Sequence, residues 1–327
     1  MLDIMTQTSR YFTTISLGIL FCISACKPSA DTGAITESSV EGQRQSVESS
    51  VEQKAAQSNS SGQVDLPFSF DNADRIIILD KELIEISGLT YDTKRDRLLA
   101  INDEQGYVYI IDEKSGTSIK YLEFGKDKDY EGLVRTSEGV IVLESDGDLN
   151  LVNIQAKTTD LRKTGLTSRT DAEGLSVLPD GRLLIACKGF PKGELTTGRK
   201  VIYAYDIAKK KLSEYISIDD KTLSDMAKEK YAKESKNKER KRIARAIDFS
   251  PSGVAYDSSS GYTYIVSAKG NTLVVVDQKG ALADLVMLPK RTMPQVEAIT
   301  FDPDGNLYIA TEGQGLTAKV FVYNRRK

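Results

Sequence analysis

The chain has 327 residues and a net charge of −3, and its length suits one large β domain or two smaller ones. That small charge gives no argument for a nucleic-acid partner, and none is expected. The sequence contains no His, which excludes Ser-His-Asp and Cys-His nucleophiles, His-ligated zinc and His general bases. Any catalysis would therefore depend on carboxylates, Lys, Tyr or a hard metal ion bound through oxygen.

Residues 1–26 are typical of an export signal. Arg10 supplies the positive charge, and the apolar stretch 15–23 is too short to span a bilayer. It leads into Ile23-Ser24-Ala25-Cys26, which resembles the lipoprotein box of bacterial lipoproteins. The resemblance implies cleavage before Cys26 and lipidation of Cys26; an ordinary secretory signal is the alternative. Because Lys27 is not the Asp that favours inner-membrane retention in enterobacterial lipoproteins, we expect an exported protein of the outer rather than the inner membrane.

Residues 27–66 are rich in Ser, Gln and Glu and poor in large apolar side chains. Such a segment cannot bury enough surface to offset the entropy lost on ordering, so we predict a disordered tether. A flexible segment of about 40 residues reaches about 35 Å, which would hold the domain clear of a membrane. With Cys26 lipidated, Cys187 is the thiol that remains, and the apolar run before it predicts a buried, inert side chain.

A five-residue phrase repeats through residues 67–327. Its clearest copies are Asp129–Leu133 and Asp171–Leu175, which read DYEGL and DAEGL, and weaker copies start at residues 85, 250 and 295. The fourth residues of the copies are 42 to 45 residues apart, except for one interval of 79. This period, with an apolar run and turn residues in each copy, is typical of a four-stranded propeller blade. We therefore predict an all-β fold, a single five-bladed β-propeller of four-stranded blades.

The two ends of the repeat region are expected to meet. The last repeat stops at its third strand, residues 320–323, and no fourth strand follows it. The isolated apolar run 75–79 fits that position, so we expect this N-terminal strand to close the ring and remove the open sheet edges.

The long interval contains an insertion at about residues 219–246. Its content of Lys, Glu, Arg and Ala favours helix. The insertion falls between blades three and four, and we expect it to overhang the central opening. Its basic run, residues 236–245, is either a solvated helix face or a contact for anionic lipid or polysaccharide.

The third residues of the five phrases should converge on one axis, because the first strand of each blade lines the central channel. Three carboxylates in a narrow channel repel each other, and a Ca²⁺ ion, which takes roughly six to eight oxygen ligands, would neutralise them. The residues at this position are Ser87, Glu131, Glu173, Ser252 and Glu297. With the acids two residues earlier, on the same face of the strand, the predicted metal ligands are Glu131, Glu173, Glu297, Asp129 and Asp171.

Other polar residues are expected at the rim of the same opening. Lys188 and Lys269, in turns on the channel side, are candidate contacts for an anionic group. A structural role is the alternative to metal binding, because a Glu before Gly can bond backbone amides of the adjacent blade and set the blade angle. The predicted rim residues are Glu85, Ser87, Asp103, Glu144, Ser252 and Glu312.

Taken in order, the phrases resemble the SdiA-regulated (YjiK-like) propeller family of bacteria. The resemblance covers roughly residues 72–324, and Ala298 departs from the Gly of the other phrases while Glu297 stays in place. It implies a five-bladed propeller, an exported or membrane-attached location and a bound calcium ion, but no established activity. The segments that carry it are ISGL at 86–89, DYEGL at 129–133, DAEGL at 171–175, PSGV at 251–254 and EAITF at 297–301.

Two functional hypotheses follow. The first is a monomeric, lipid-anchored, calcium-binding propeller that serves as a recognition or scaffold module for an unknown small-molecule or envelope ligand. The second is a metal-dependent hydrolase, similar to six-bladed lactonase-like and phytase-like propellers, in which a channel metal polarises an ester or phosphoryl oxygen. A carboxylate such as Glu173 would then have to activate water, since the chain has no His.

Overall fold

Twenty strands form five antiparallel sheets in the computed structural model, which describes residues 64–196, 198–233 and 236–326. Each sheet has four strands, and the sheets are arranged as blades around one axis. The prediction of an all-β, five-bladed propeller is therefore confirmed. The predicted signal peptide with Cys26 and the predicted tether up to residue 63 lie outside the described residues.

Four blades are built from consecutive strands, and the fifth combines strands from both ends of the described chain. The first strand, β1 (Arg75–Ile78), belongs to that fifth blade. Blade one contains β2 (Ile86–Asp92), β3 (Arg97–Asn102), β4 (Tyr107–Ile111) and β5 (Ser118–Glu123). Blade two contains β6 (Tyr130–Arg135), β7 (Gly139–Glu144), β8 (Leu149–Asn153) and β9 (Thr158–Arg162). Blade three contains β10 (Ala172–Val177), β11 (Leu183–Cys187), β12 (Arg199–Asp206) and β13 (Lys211–Asp219). Blade four contains β14 (Ser250–Asp257), β15 (Tyr262–Lys269), β16 (Thr272–Val276) and β17 (Leu282–Met287). Blade five contains β18 (Val296–Phe301), β19 (Leu307–Thr311), β20 (Lys319–Tyr323) and β1.

The strands near the axis are more apolar and more buried than the outermost strands. The second strands of blades two and three, β7 and β11, are apolar and buried along their whole length, because neighbouring blades cover both faces. The outermost strand β9 reads TTDLR and is mostly exposed. The predicted turn at residues 179–181 is present, and Gly181 has a φ of +85°, which a residue with a side chain rarely adopts. Cys187 is buried, as predicted.

Strand β1 closes the ring. It pairs antiparallel with β20, with Ile77 opposite Val320. Ile77 and Leu79 point into the core, whereas Ile76 and Ile78 are exposed, as the alternation of a strand requires. All five blades and the closing strand lie from Val64 onward, so a fragment that starts there retains the complete ring.

The inner strands pack directly on one another in the order β2, β6, β10, β14, β18 and back to β2. Glycines make this approach possible, because a Cβ on Gly174 would lie 2.8 Å from the Cα of Gly253, and a Cβ on Gly132 would lie 2.9 Å from the backbone nitrogen of Leu175. The space left between the inner strands is only about 10 Å³. A cavity of that size holds about one water molecule, so the channel is closed to any larger ligand.

The insertion forms two helices, α1 (Asp220–Tyr231) and α2 (Lys236–Ile247). Asp219 caps α1 by accepting a hydrogen bond of 2.7 Å from the backbone nitrogen of Thr222. Leu223 and Ala227 are buried against the outermost strands β13 and β17. The expectation that the insertion overhangs the central opening is therefore wrong for α1, whose apolar stripe covers the outer edges of blades three and four. Helix α2 leads back to the inner strand β14.

Within the described part of the chain, neither helix combines the length and the apolar character needed to cross a membrane.

Candidate functional site

The third residue of every phrase is the extra residue of a β-bulge. In blade two, Tyr130 pairs with Glu144 and Gly132 pairs with Leu143, which leaves Glu131 without a partner in the register. A bulge re-aims its extra side chain away from the regular face of the strand. The same break occurs in every blade and leaves out Ser87, Glu131, Glu173, Ser252 and Glu297.

Backbone hydrogen bonds place two further positions beside each bulge. The carbonyl of the first phrase residue accepts from the residue that follows the second strand of the same blade. Lys188 nitrogen donates to the Asp171 carbonyl at 2.8 Å, and Asp103 nitrogen donates to that of Glu85 at 3.2 Å. Blade five repeats the pattern with Glu312. We call the resulting group the acidic mouth: Glu85, Asp103, Asp129, Glu131, Asp171, Glu173, Lys188, Glu297 and Glu312.

The structure places Glu144 and Lys269 away from the acidic mouth. Glu144 lies one residue before the mouth position of blade two, where side chains alternate to the other face. Its carboxylate accepts from Lys128 Nζ and from Asn150 Nδ2, each at 2.7 Å. Lys269 Nζ pairs with Asp248 Oδ1 at 2.8 Å, just after α2. Glu144 therefore holds local structure together, whereas Lys269 forms an exposed ion pair.

Ser252 also serves the backbone. Its hydroxyl donates to the carbonyl of Val296 in blade five at 2.5 Å and accepts from the nitrogen of Ala268 at 3.0 Å. The contacts of Ser252 therefore agree with a structural role for this position, which is to link neighbouring blades. Ser87 differs, because its hydroxyl is buried and has no hydrogen-bond partner in the structure.

Lys188 lies among the carboxylates. Its ammonium is 2.5 Å from Glu173 Oε1 and 3.9 Å from Asp171 Oδ2. The Glu173 side chain is 4% exposed, so this pair is largely shielded from water. The lysine that the sequence suggested as a contact for an anionic ligand instead supplies positive charge to the protein's own acids.

Burial and mutual repulsion raise the pKa values of carboxyl groups in the acidic mouth. Burial raises the pKa of Glu131, and the charge of Glu173 raises it further. Burial also raises the pKa of Glu173, although Lys188 opposes that rise. The pKa of Glu297 is raised to about 8, first by burial and then by Glu312 and Glu173. The mouth therefore holds more carboxylates than Lys188 can neutralise.

The acids of blades two and three differ from those of blades one and five in their ion pairs. Lys188 lies beside the acids of blades two and three, whereas Glu85, Asp103, Glu297 and Glu312 of blades one and five form no ion pair within the described residues. Burial, with the charges of Glu85 and Glu104, raises the pKa of Asp103 to about 6. One Asp103 oxygen is buried without a hydrogen-bond partner. The acids of blades one and five thus have no ion-pair partner in the described part of the chain, and the charge of Lys188 only partly offsets the raised pKa values of Glu297 and Glu312.

The side chains do not stand at metal-ligand spacing. Within the part of the chain that the structure describes, no three Asp, Glu or Cys residues are grouped closely enough to hold an ion. The chemistry of the donors nevertheless fits a hard cation, because buried carboxylates with raised pKa values and two buried oxygens without partners, on Ser87 and Asp103, would all gain from one. Binding of an ion would require these carboxylates to move closer to one another.

The sequence model of one protein family matches residues 74–169 and 203–315, more than half of the chain. The chain belongs to the SdiA-regulated family. This result confirms the resemblance drawn from the repeated phrases. No curated protein shows a significant match to the sequence.

The chain is also similar, at low identity, to several solved structures. A glutaminyl cyclase from Myxococcus xanthus is 10% identical with a TM-score of 0.51, over 77% of this chain and 95% of that one. A calcium-binding protein, regucalcin, from Agrobacterium tumefaciens is 15% identical with a TM-score of 0.47, over 76% and 94%. A gluconolactonase from Xanthomonas campestris is 12% identical with a TM-score of 0.45, over 78% and 86%. At these identities the likeness concerns the propeller fold alone.

Proposed function

We propose that this SdiA-regulated propeller is an exported lipoprotein, attached through Cys26, that binds Ca²⁺ at the acidic mouth and acts as a recognition or scaffold module. The observation that carries the cation site is the charge imbalance around Lys188. One ammonium pairs with Glu173, while the carboxylates of blades one and five form no ion pair among the described residues. The charge of Lys188 only partly offsets the effects that raise the pKa values of Glu297 and Glu312. A divalent ion would neutralise these acids and let them ionise at neutral pH.

Asp103, Glu297 and Glu312 are the residues that would hold the ion, with the buried hydroxyl of Ser87 beside them. When bound, calcium would supply positive charge and fix the carboxylate orientations at the open end of the inner strands. The end would then present an ordered polar surface to a ligand.

Recognition is favoured over hydrolysis by the shape of the site. The space behind the carboxylates measures about 10 Å³, too little to admit an ester or a lactone. A hydrolase would also need a carboxylate to activate water, since the chain has no His. To separate the two functions, lactones, aryl esters and phosphomonoesters should be offered with and without chelator. We expect no turnover; chelator-sensitive turnover would replace recognition by hydrolysis.

Calorimetric titration of Ca²⁺ into the fragment from residue 64 tests the cation site. We expect binding tighter than millimolar that is lost in the Glu297→Gln/Glu312→Gln variant. Glu144→Gln is the matched control, because Glu144 is a buried strand-end acid outside the mouth. Absence of binding, or unchanged binding in that double variant, would rule out the site.

The anchor has a separate test. Mass spectrometry of the mature protein should show a chain that starts at an acylated Cys26, and Cys26→Ser should release the protein from the membrane fraction. A Cys26→Ser protein that stays in the membrane fraction would contradict the proposed attachment.

A further inference from the structure

Helix α2 is the most basic segment among the described residues. Its sequence, KNKERKRIARAI, carries one acid, Glu239, among Lys and Arg residues. The family assignment and the acidic mouth do not account for this helix, which packs on the core of blades three and four.

The inward side of α2 fixes the helix to the propeller. Ala246 is buried in the core cluster of blades three and four, and Ile243 packs against the same cluster. The guanidinium of Arg242 lies 4.4 Å from the centre of the Tyr231 ring, and Arg245 donates to the carbonyl of Leu288 at 3.4 Å. The helix therefore presents its opposite side in a defined orientation.

The outward side of α2 combines uncompensated charge with apolar groups. Lys236, Arg240 and Lys241 are exposed, and within the described residues none has a carboxylate within ion-pair distance. Ala244 and Ile247 are exposed on the same arc, and Ile247 is 42% exposed. We call this set the α2 face: Lys236, Arg240, Lys241, Ala244 and Ile247.

Several exposed lysines elsewhere in the structure are balanced by a neighbouring carboxylate. Lys221 and Lys228 of α1 both pair with Asp225, at 2.6 and 3.1 Å. Lys209 pairs with Asp206 at 2.9 Å in the turn between β12 and β13. Other exposed lysines, such as Lys210 and Lys211, also form no ion pair within the described residues. The α2 face differs because three such charges lie on one side of a helix next to an apolar side chain.

We propose that the α2 face docks on the surface of an anionic phospholipid bilayer. Lys and Arg side chains are attracted to the phosphates of anionic lipids, and a small apolar group on the same arc can enter the headgroup boundary. Ile247 is the side chain that would enter it, and this residue distinguishes a lipid surface from a purely charged polymer. The contact does not depend on the cation site or on the lipid anchor.

Vesicle co-sedimentation of the fragment from residue 64 tests the proposal without the anchor. We expect binding to phosphatidylcholine vesicles that contain phosphatidylglycerol, weakening with salt, and none to phosphatidylcholine alone. Lys236→Glu/Arg240→Glu/Lys241→Glu should weaken binding at least about a hundredfold. The matched control, Lys209→Glu/Lys210→Glu/Lys211→Glu, makes the same charge change in the exposed β12–β13 turn and should bind as the wild type does.

A second variant separates insertion from charge. Ile247→Ser leaves the charge unchanged and should weaken vesicle binding several-fold, with a circular dichroism spectrum like that of the wild type because the side chain is exposed. Equal losses in the two triple variants would overturn the proposal. So would equal binding to vesicles without anionic lipid, or tighter binding to a soluble sulfated polysaccharide than to vesicles.

Discussion

Replacing Glu297 by Gln is expected to raise the thermal stability of the cation-free propeller at pH 8 and to change it little at about pH 5. The folded state raises the pKa of Glu297 to about 8 from an ordinary value of 4.5, so the carboxyl keeps a proton that the unfolded chain releases. The stability contributed by this neutral carboxyl is complete below pH 4.5 and is lost as the pH rises towards 8. Gln is neutral in the folded and in the unfolded state, so the variant loses this dependence of stability on pH.

The size of the effect follows from the pKa difference. Each pH unit above 4.5 costs the folded state about 1.4 kcal/mol until the folded pKa is reached. At pH 8 the limit is about 4 to 5 kcal/mol, and at about pH 5 it is below about 1 kcal/mol. Glu297 retains some exposure, and solvent screening reduces the limit. We therefore expect a gain of about 2 to 3 kcal/mol in the free energy of unfolding at pH 8, which corresponds to several degrees in Tm.

Thermal denaturation followed by circular dichroism, with chelator, measures the effect at both pH values. Glu144→Gln is the control, and we expect it to lower the Tm at pH 8, because the Glu144 carboxylate is held by Lys128 and Asn150. Added Ca²⁺ should raise the Tm of the wild type at pH 8 more than that of Glu297→Gln. A loss of stability at pH 8, or equal shifts at both pH values, would refute the electrostatic account of the mouth.

Three further variants test the surroundings of the site. Lys188→Met should lower the Tm more at pH 8 than at about pH 5, because the Glu173 carboxylate stays buried without the Lys188 ammonium. Lys269→Met, which removes an exposed ammonium, should have little effect. Equal decreases of Tm in the two variants would contradict the Lys188–Glu173 ion pair. In urea denaturation, Gly174→Ala should lower the free energy of unfolding by about 1 to 3 kcal/mol, because its Cβ would meet the backbone of blade four; a neutral result would refute the tight inner ring. Ile77→Asp should cost about 3 kcal/mol or more and increase proteolysis, since it places a charge in the buried face of the closing strand; wild-type resistance would contradict ring closure by β1.

The propeller was predictable because its blades repeat one local pattern. Each phrase is followed by an apolar second strand and a turn that needs Gly, as at Gly181, and these requirements act within a single blade. The closing strand was predictable for a related reason, since the run 75–79 had no partner within its own blade. The position of the helices could not be predicted, because the apolar stripe of α1, Leu223 and Ala227, could pack on any apolar surface. Only the packed blades show that this stripe covers their outer edges.

The site was predicted in part. Counting along the chain identified the bulge residues Glu131 and Glu297 but gave no sign of the bulge that aims them. Glu144 was misplaced because the end of a strand, to within one residue, decides which face a side chain takes. The role of Lys188 was also missed, although its position, directly after the second strand, is the one that Asp103 and Glu312 occupy in their blades.

By itself the sequence determined the number of blades, the order of their strands and the convergence of one residue from each blade, because repetition and alternation are local properties of the chain. Only the tertiary structure decided which charges meet at the mouth and how they are balanced. Five bulges turn those residues together. Lys188 from blade three forms an ion pair with Glu173, whereas it only partly offsets the repulsion among the acids of blades one and five. Burial and the distances between blades set the pKa values there, and neither quantity exists until the ring has closed.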